Sequence, residues 1–185
     1  MNYVLAFFVL LLASCNSPPQ KADHCLRLNI AAEPATLDPR KGGDLLSSHL
    51  HFMLFEGLTR ICPNGIAEPA IAESIELSND KKTYTFHLRS ALWSDGSTIT
   101  ALDFENSWKD ILSPEFPSQN ANLLYPIKNA ELAKKGESSP STIGITALDA
   151  QTLQVTLENP VPYFLELVSF CVFSPVKSDL FSGPF

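Results

Sequence analysis

The feature that most constrains the fold is a strict alternation of apolar and polar side chains over residues 83–89. Tyr84, Phe86 and Leu88 fall on one side of an extended chain, and aromatic and β-branched residues favour strands. The pattern predicts a strand with one buried face and with His87 on the outer face.

A turn and a capped helix are predicted directly after this strand. Residues 93–96 end in Asp-Gly, a pair that accepts the positive φ angle of a tight turn. Thr100 and Asp103 have the spacing of a capping box, and Pro114 ends the helix that follows. The apolar positions of this helix recur at roughly helical spacing: Leu102, Phe104, Trp108 and Ile111.

Strands and helices are both predicted elsewhere in the chain. Alternation predicts strands over residues 26–30 and 152–157. A helix is predicted to begin at Asp44 and to end at Gly57. Its apolar residues lie at helical spacing: Leu46, Leu50, Met53 and Leu54.

Two short helices complete the set of elements. One is expected within residues 128–142, where it runs into an exposed loop, and the other over residues 163–168. Strands and helices therefore mix without a steady βαβ alternation, and this order favours an α+β fold.

The N-terminus carries the pattern of an exported protein. Residues 3–13 are apolar and uncharged, with the length of a signal-peptide core and well short of the roughly 20 residues of a membrane-spanning helix. Residues 12–15, Leu-Ala-Ser-Cys, resemble the lipobox of bacterial lipoprotein signals, in which the cysteine is acylated. Cys15 is therefore the expected lipid attachment site. The alternative is a soluble secreted protein with a chance cysteine at the cleavage site.

Charge excludes one large class of partners. The 185 residues contain 13 Lys and Arg and 20 Asp and Glu, a formal net charge of −7. A protein of this charge repels phosphates, and no basic tract offsets the repulsion, so no nucleic-acid partner is expected.

No metal site or cofactor is expected. His49 and His51 are two residues apart on the predicted helix, so they face different sides and are expected to be solvated or to lie at the edge of the core. With Cys15 acylated, an odd number of cysteines remains and none has C-x-x-C spacing, so neither a complete disulfide framework nor a zinc site is implied, although one pair could form. These residues are Cys25, Cys62 and Cys171.

The common catalytic motifs of hydrolases, zinc proteases and nucleotide-binding enzymes are absent from the sequence. Asp23, His24 and Cys25 are consecutive in a polar spacer, whereas a triad needs groups that converge from a rigid scaffold. The spacing of Glu56, Glu68 and Glu73 does not distinguish an acid–base pair from surface carboxylates. The chain is therefore not expected to be an enzyme, and an extracytoplasmic hydrolase is the alternative.

Several motifs occur in the order found in family 5 solute-binding proteins, the oligopeptide- and dipeptide-binding lipoproteins of ABC importers. They are LRLNIAAEPATLDPRK, LFEGLTR, the stretch from IAEPAIAES to ALDFENSW, IGITALDAQTLQVTLENPVPYFLELV and FSPVK. The resemblance extends from about Leu26 to Lys177. It implies the N-terminal lobe of a type II periplasmic-binding-protein-like fold that is truncated before the second lobe.

This resemblance also implies a division of the chain into five segments. The segments are a signal peptide (1–14), a lipidated tether (15–24), the N-terminal strand, loop and helix of the first lobe (25–54), an α+β insertion domain of that lobe (55–175) and a truncated return to the first lobe (176–185).

The function implied by the resemblance is capture of a peptide between two lobes and its delivery to a membrane permease. In such proteins the peptide backbone is held by strand-like hydrogen bonds. The partners implied are a peptide ligand, an ABC permease and a membrane reached through the N-terminal lipid. A nickel or haem complex, as in some relatives, is an open alternative to a peptide.

The residues expected on the ligand wall follow from the same resemblance. Peptide-binding relatives often carry an acidic residue on the ligand wall in the stretch that follows LDPR, which here contains Gly42-Gly43-Asp44-Leu45. Gly43, Asp44 and Leu45 are therefore the expected wall residues, and only Asp44 could supply the acidic group. Asn120 lies where relatives present a tyrosine. A rival hypothesis is a lipid-anchored interaction module, or a remnant that binds no peptide, which docks to a permease or complements a separately encoded lobe.

Overall fold

The computed structural model describes residues 28–183. The chain divides into two units, Met1–Ala32 and Glu33–Phe185. Apart from residues 28–32, everything described below belongs to the second unit. The signal peptide, the lipobox cysteine and the tether predicted above lie outside the described residues.

The strand predicted over residues 26–30 is not formed where the structure describes the chain. Residues 28–30 belong to neither a helix nor a strand, and residues 26 and 27 lie outside the described part. The prediction is wrong for these three residues because alternation supplies a face for burial but no backbone partner, and a strand needs both.

The second unit is an α+β structure. Its strands are β1 (Thr59–Ile61), β2 (Ala67–Pro69), β3 (Ala72–Leu77), β4 (Thr83–Leu88), β5 (Ile145–Ala147) and β6 (Thr152–Thr156). Its α-helices are α1 (Leu45–Leu54), α2 (Ala101–Ile111), α3 (Ala130–Lys134) and α4 (Phe164–Leu167). Short 3₁₀ helices lie at Ala121–Leu124, Pro140–Thr142 and Cys171–Phe173.

An antiparallel sheet in the order β3-β4-β6-β5 forms the centre of the unit, and β1 and β2 form a separate hairpin. Strand β4 pairs with β6 so that Tyr84 lies opposite Val155 and Phe86 opposite Leu153. All four of these side chains are buried, whereas His87 lies on the outer face with its Nε2 atom 3.4 Å from Glu76 Oε1. The predicted strands over residues 83–89 and 152–157 are confirmed, because their alternation matches the pleat.

Helix α2 covers the buried face of the sheet and packs against β5 and β6. The Asp103 carboxylate accepts hydrogen bonds from the Thr100 backbone N–H at 2.7 Å and from its hydroxyl at 2.8 Å, so the helix begins where the capping pattern predicts. Phe104 and Trp108 are fully buried. Leu102 is 53% exposed, and its inward placement is wrong because it lies about 200° around the helix from Phe104.

The predicted turn and the two predicted short helices are also confirmed. The turn over residues 93–96 contains Gly96 at φ +84°, and Gly96 N–H donates to Trp93 O at 2.8 Å. Helix α3 ends at Lys134 and an exposed stretch follows it, while α4 forms within the predicted 163–168 segment.

Trp108 joins α2 to a segment far along the chain. Its indole Nε1–H donates to the Phe173 carbonyl at 2.8 Å, and both residues are buried. The Trp108 ring packs edge-on against the rings of Phe173 and Phe104, with centroid distances of 5.2 and 6.4 Å respectively. Aromatic pairs favour this geometry. The core therefore contains a directional polar contact as well as apolar packing.

After Phe173 the chain returns to the end of α1. Gly183 N–H donates to Leu54 O at 2.9 Å, and the Phe181 ring meets Phe55 edge-on at 5.7 Å. These contacts hold α1 close to the rest of the second unit.

The Trp108 contact predicts a difference between two buried tryptophans. Trp108→Phe leaves the buried Phe173 carbonyl without its donor, which costs about 1–3 kcal/mol beyond the loss of packing. Trp93 is also buried, but its Nε1 atom has no hydrogen-bond partner in the described part of the chain, so Trp93→Phe is the matched control. Urea denaturation is expected to show the larger loss of stability for Trp108→Phe, and equal losses would contradict the role given to this hydrogen bond.

Candidate functional site

Three of the predicted ligand-wall residues, Gly43, Asp44 and Leu45, lie at the start of helix α1. Asp44 caps the helix, because its carboxylate accepts a hydrogen bond from Ser47 N–H at 2.8 Å. Hydrogen bonds from Ser47 lower the pKa of Asp44, which is exposed and therefore ionised at neutral pH. The helix ends at Leu54, with the Phe55 N–H donating to His51 O at 2.8 Å, so the predicted end at Gly57 is three residues late.

The buried side of α1 is polar. Ser47 and His51 are fully buried, whereas Leu45, Phe52 and Met53 are 73%, 55% and 44% exposed. Helical spacing of apolar residues therefore predicts the helix but not the side that it buries. Nothing among the described residues covers this apolar side.

His51 lies under the loop that precedes the helix. Its Nε2 atom is 3.0 Å from the Thr36 carbonyl oxygen. Its ring packs edge-on against the Phe55 ring, with 6.4 Å between the two ring centroids. Burial lowers the pKa of His51, so the imidazole is neutral at neutral pH. His49 is exposed on the other side of the helix, as the two-residue spacing predicts.

A backbone without a side chain is required where this loop crosses His51. A Cβ atom built on Gly42 would lie 2.4 Å from His51 Cε1 and 3.0 Å from Nδ1. At Gly43 a Cβ atom would instead meet the end of the Gln119 side chain, 2.1 Å from its Oε1 atom. The two glycines therefore bring the loop close to a buried ring on one side and to a flexible amide on the other.

Arg40 holds the same loop in place. Its Nε and Nη2 atoms donate to the two carboxylate oxygens of Asp38, each at 2.9 Å, and Nη1 donates to Asp110 at 3.0 Å. The guanidinium carbon lies 4.9 Å from the centre of the Phe116 ring, within cation–π distance. Because this side chain is only 15% exposed, the contacts connect the loop firmly to the C-terminal end of α2.

Asn120 reaches the loop from the opposite direction. Its Nδ2 atom donates to the Gly42 carbonyl at 2.8 Å. The structure therefore brings Gly43, Asp44 and Asn120 to one place, with the exposed Leu45 side chain directly after them. Through this hydrogen bond the Asn120 amide braces the loop before α1.

Lys134 supports the segment that leads to Asn120. Its Nζ atom donates to the carbonyls of Ile111, Ser113 and Phe116 at 3.0, 2.8 and 2.6 Å. The Ile111 carbonyl lies at the end of α2, where an ammonium group satisfies an acceptor that the helix leaves free, and the other two carbonyls lie in the segment that follows the helix. Burial lowers the pKa of Lys134. Sequence reasoning missed this residue, because Lys-Lys in a polar stretch has the composition of a solvated surface.

The described residues contain no group of side chains that could hold a metal ion and no helix that could span a membrane. Among residues 28–183, no group of three His, Cys, Asp or Glu side chains could hold a metal ion. Cys62 and Cys171 are free thiols, and Cys25 lies outside the described part. No helix in that part is long and apolar enough to cross a membrane.

A cavity of about 450 Å³ opens beside the apolar side of α1. Phe52, Ile61 and Phe170 form most of its wall, with Arg60 and Glu166 among the polar residues that line it. The three apolar side chains are about half exposed, so this surface is one on which a further chain segment could pack.

The chain is similar to curated proteins that are named for peptide binding. The oligopeptide-binding protein OppA of Bacillus subtilis is 38% identical over 188 residues, 96% of this chain and 34% of that protein. The dipeptide-binding protein DppE of the same organism is 40% identical over 156 residues, 84% of this chain and 29% of that protein. The chain thus spans about a third of the length of these curated relatives.

Solved structures show the same fold. A structure titled Listeria monocytogenes OppA bound to peptide matches with a TM-score of 0.80 at 32% identity, covering 83% of this chain and 34% of that one. The substrate-binding domain of an oligopeptide ABC transporter from Bacillus anthracis matches with a TM-score of 0.78 at 38% identity, covering 80% and 32%. The fold is therefore part of a periplasmic-binding-protein-like lobe of the kind found in extracellular solute-binding proteins.

Residues 67–184 match the family described as bacterial extracellular solute-binding proteins, family 5 Middle. The chain belongs to this family, as its ordered motifs predict.

The two glycines of the loop before α1 predict unequal effects of adding a methyl group. Gly42→Ala is expected to lower stability by about 1–3 kcal/mol, because the new Cβ atom meets a buried ring that has little room to move. Gly43→Ala is the matched control and is expected to change stability by less than about 0.5 kcal/mol, because the Gln119 side chain can move aside. Thermal unfolding of both variants checks this, and a larger loss for Gly43→Ala would show that the loop does not pack as described.

Proposed function

We propose that this chain is part of the peptide-binding lipoprotein of an ABC oligopeptide or dipeptide importer. The single observation that carries the proposal is membership of family 5, combined with relatives named as oligopeptide- and dipeptide-binding proteins. The likeness to a lobe bound to peptide in the Listeria protein supports it. In this function the protein captures its ligand without altering it and therefore needs no catalytic residue.

Gly43, Asp44, Leu45 and Asn120 are proposed to form one wall of the peptide site. Asp44 places an ionised carboxylate at an exposed position on a rigid helix start. Such a group suits the ammonium end of a peptide or a basic side chain, because charge-assisted hydrogen bonds are about twice as strong as neutral ones. Leu45 offers an exposed apolar contact next to it.

The wall also requires a rigid support, and the surrounding contacts provide one. Arg40 connects the loop to Asp38 and Asp110, and Asn120 connects it to the segment that Lys134 holds. A binding surface held in this way loses little conformational freedom when the ligand arrives, which favours affinity.

The peptide proposal is tested by calorimetry of the 185-residue chain in mild detergent against di- to pentapeptides. Saturable heat is expected, and Asp44→Asn is expected to weaken binding about tenfold, the loss of one charged contact. Asparagine is also a good N-cap, so the helix start is preserved. Asp95→Asn is the matched control, because Asp95 is exposed and accepts a hydrogen bond from the Ser97 N–H in a similar way.

A folded chain that takes up no peptide would overturn peptide capture by this chain. Equal affinity of the Asp44→Asn variant and the parent would remove Asp44 from the wall while leaving the rest of the proposal in place.

We also propose that the protein is exported and attached to a bacterial membrane through a lipid on Cys15, facing the periplasm or the cell exterior. The support is the sequence of residues 3–15, an apolar signal core followed by a lipobox-like Leu-Ala-Ser-Cys. A single acyl chain holds a protein only marginally at a membrane, so stable attachment requires more than one chain on this residue.

The anchor is tested by substitution in a bacterial host with a lipoprotein pathway. Cys15→Ser is expected to abolish incorporation of labelled palmitate and to shift the protein from the membrane fraction to the soluble fraction. Cys25→Ser is the control and is expected to retain both properties. Incorporation of palmitate into Cys15→Ser would contradict the proposed site.

A second candidate function is a lipid-anchored interaction module that docks to a permease or complements a separately encoded lobe. The exposed apolar side of α1 and the cavity lined by Phe52, Ile61 and Phe170 favour it, because they offer unpaired apolar surface. Calorimetry separates the two functions. Peptide capture predicts saturable heat, whereas the interaction module predicts a folded chain that binds no peptide.

A further inference from the structure

His51 occupies an unusual position for an ionisable group. It is fully buried, and its ring packs directly against the backbone of Gly42. The same Gly42 residue accepts the Asn120 amide through its carbonyl oxygen at 2.8 Å. The imidazole thus packs against the loop residue that directly precedes Gly43 and Asp44 of the candidate wall.

The hydrogen bonding of the ring fits only one protonation state. The Thr36 carbonyl lies 3.0 Å from Nε2 and must accept a hydrogen there, so the neutral ring carries its hydrogen on Nε2. Nδ1 has no hydrogen-bond partner among the described residues, and it faces Gly42. A second proton on the ring would therefore place a buried donor where no acceptor lies, and such a donor is costly.

The charged groups around His51 do not remove this cost. Asp38 on the preceding loop and Asp44 at the start of α1 are the carboxyl groups whose fields favour the charged ring, yet burial outweighs both and the pKa of His51 is lowered. Asp38 is engaged by Arg40, and Asp44 by Ser47. Lys177 and Asp179, the ionisable residues of the returning segment that packs on Phe55, do not contribute to this shift.

We propose that His51 is a positioning residue that holds the candidate wall in place only while its imidazole is neutral, so that acidification loosens the loop carrying Gly42 and Gly43. The proposal deepens the proposed function, because the relevance of the loop to a ligand rests on it. The geometry itself does not depend on the ligand.

The direction of the effect follows from linkage. A histidine whose pKa is lower in the folded state than its ordinary value of 6.5 takes up protons more readily when its surroundings open. The closed wall is therefore fully favoured above about pH 6.5 and loses that advantage as the pH falls below it. A peptide bound at the wall would be held at neutral pH and released more readily in acid.

Nuclear magnetic resonance of the 185-residue chain in detergent micelles, with no ligand present, tests this proposal. The side-chain amide of Asn120 and the backbone amides of Gly42 and Gly43 are expected to shift together between pH 7.5 and 4.5, with one midpoint below 6.5. The Cε1–H signal of His51 is expected to titrate with the same midpoint.

Two variants separate His51 from other ionisable groups. His51→Asn retains a polar side chain that cannot ionise in this range, and it is expected to remove the shared midpoint. His49→Asn, on the exposed side of the same helix, is expected to leave it unchanged.

The proposal would be overturned if the amide signals of Asn120, Gly42 and Gly43 did not move with pH. It would also be overturned if they moved with a midpoint different from that of His51. The wild-type comparison alone decides this if His51→Asn fails to fold. Because no peptide is present, a failure here is distinct from a failure of the peptide-binding proposal.

Discussion

The buried contact between Trp108 and the Phe173 carbonyl is the constraint on which the rest of the structure depends. It joins the helix that covers the sheet to a segment 65 residues later, and it does so through a directional bond that apolar packing alone cannot replace. From Phe173 the chain turns back to Leu54 and Phe55, so this contact holds the start of the segment that packs on the end of α1. The start of α1 in turn carries the candidate site, which connects core packing to function.

The loop that carries the candidate wall presents mostly backbone, and neighbouring side chains hold it in place. Gly42 and Gly43 allow the loop to approach a buried ring and a neighbouring amide, and Arg40 and Asn120 hold the loop from two sides. The exposed groups left for a ligand are those at the start of the helix, Asp44 and Leu45. A surface of this kind offers a few fixed polar groups on a rigid support, which suits recognition of a peptide's common features more than its particular side chains.

Sequence reasoning succeeded where local chemistry decides the structure. Three features depend only on neighbouring residues, and each lies where it was predicted. They are the alternation around Phe86, the capping pair Thr100 and Asp103, and the cap at Asp44. It failed where residues distant in the sequence determine which side chains are buried or bonded. The buried side of α1 depends on Thr36 and Gly42, and the three acceptors of Lys134 come from residues 18 to 23 positions earlier. The family resemblance proposes the wall residues, and the structure adds that Asn120 braces the loop through Gly42.

The central claim is that residues 33–183 contain a folded lobe that holds the wall in place although the chain spans about a third of the length of its relatives. Hydrogen–deuterium exchange of the whole chain at pH 7.5 tests this claim most directly. The account predicts slow exchange for the amides of β4, β6 and α2 and measurable protection of the first turn after Asp44. Exchange of all these amides at the rate of an unfolded peptide would contradict it.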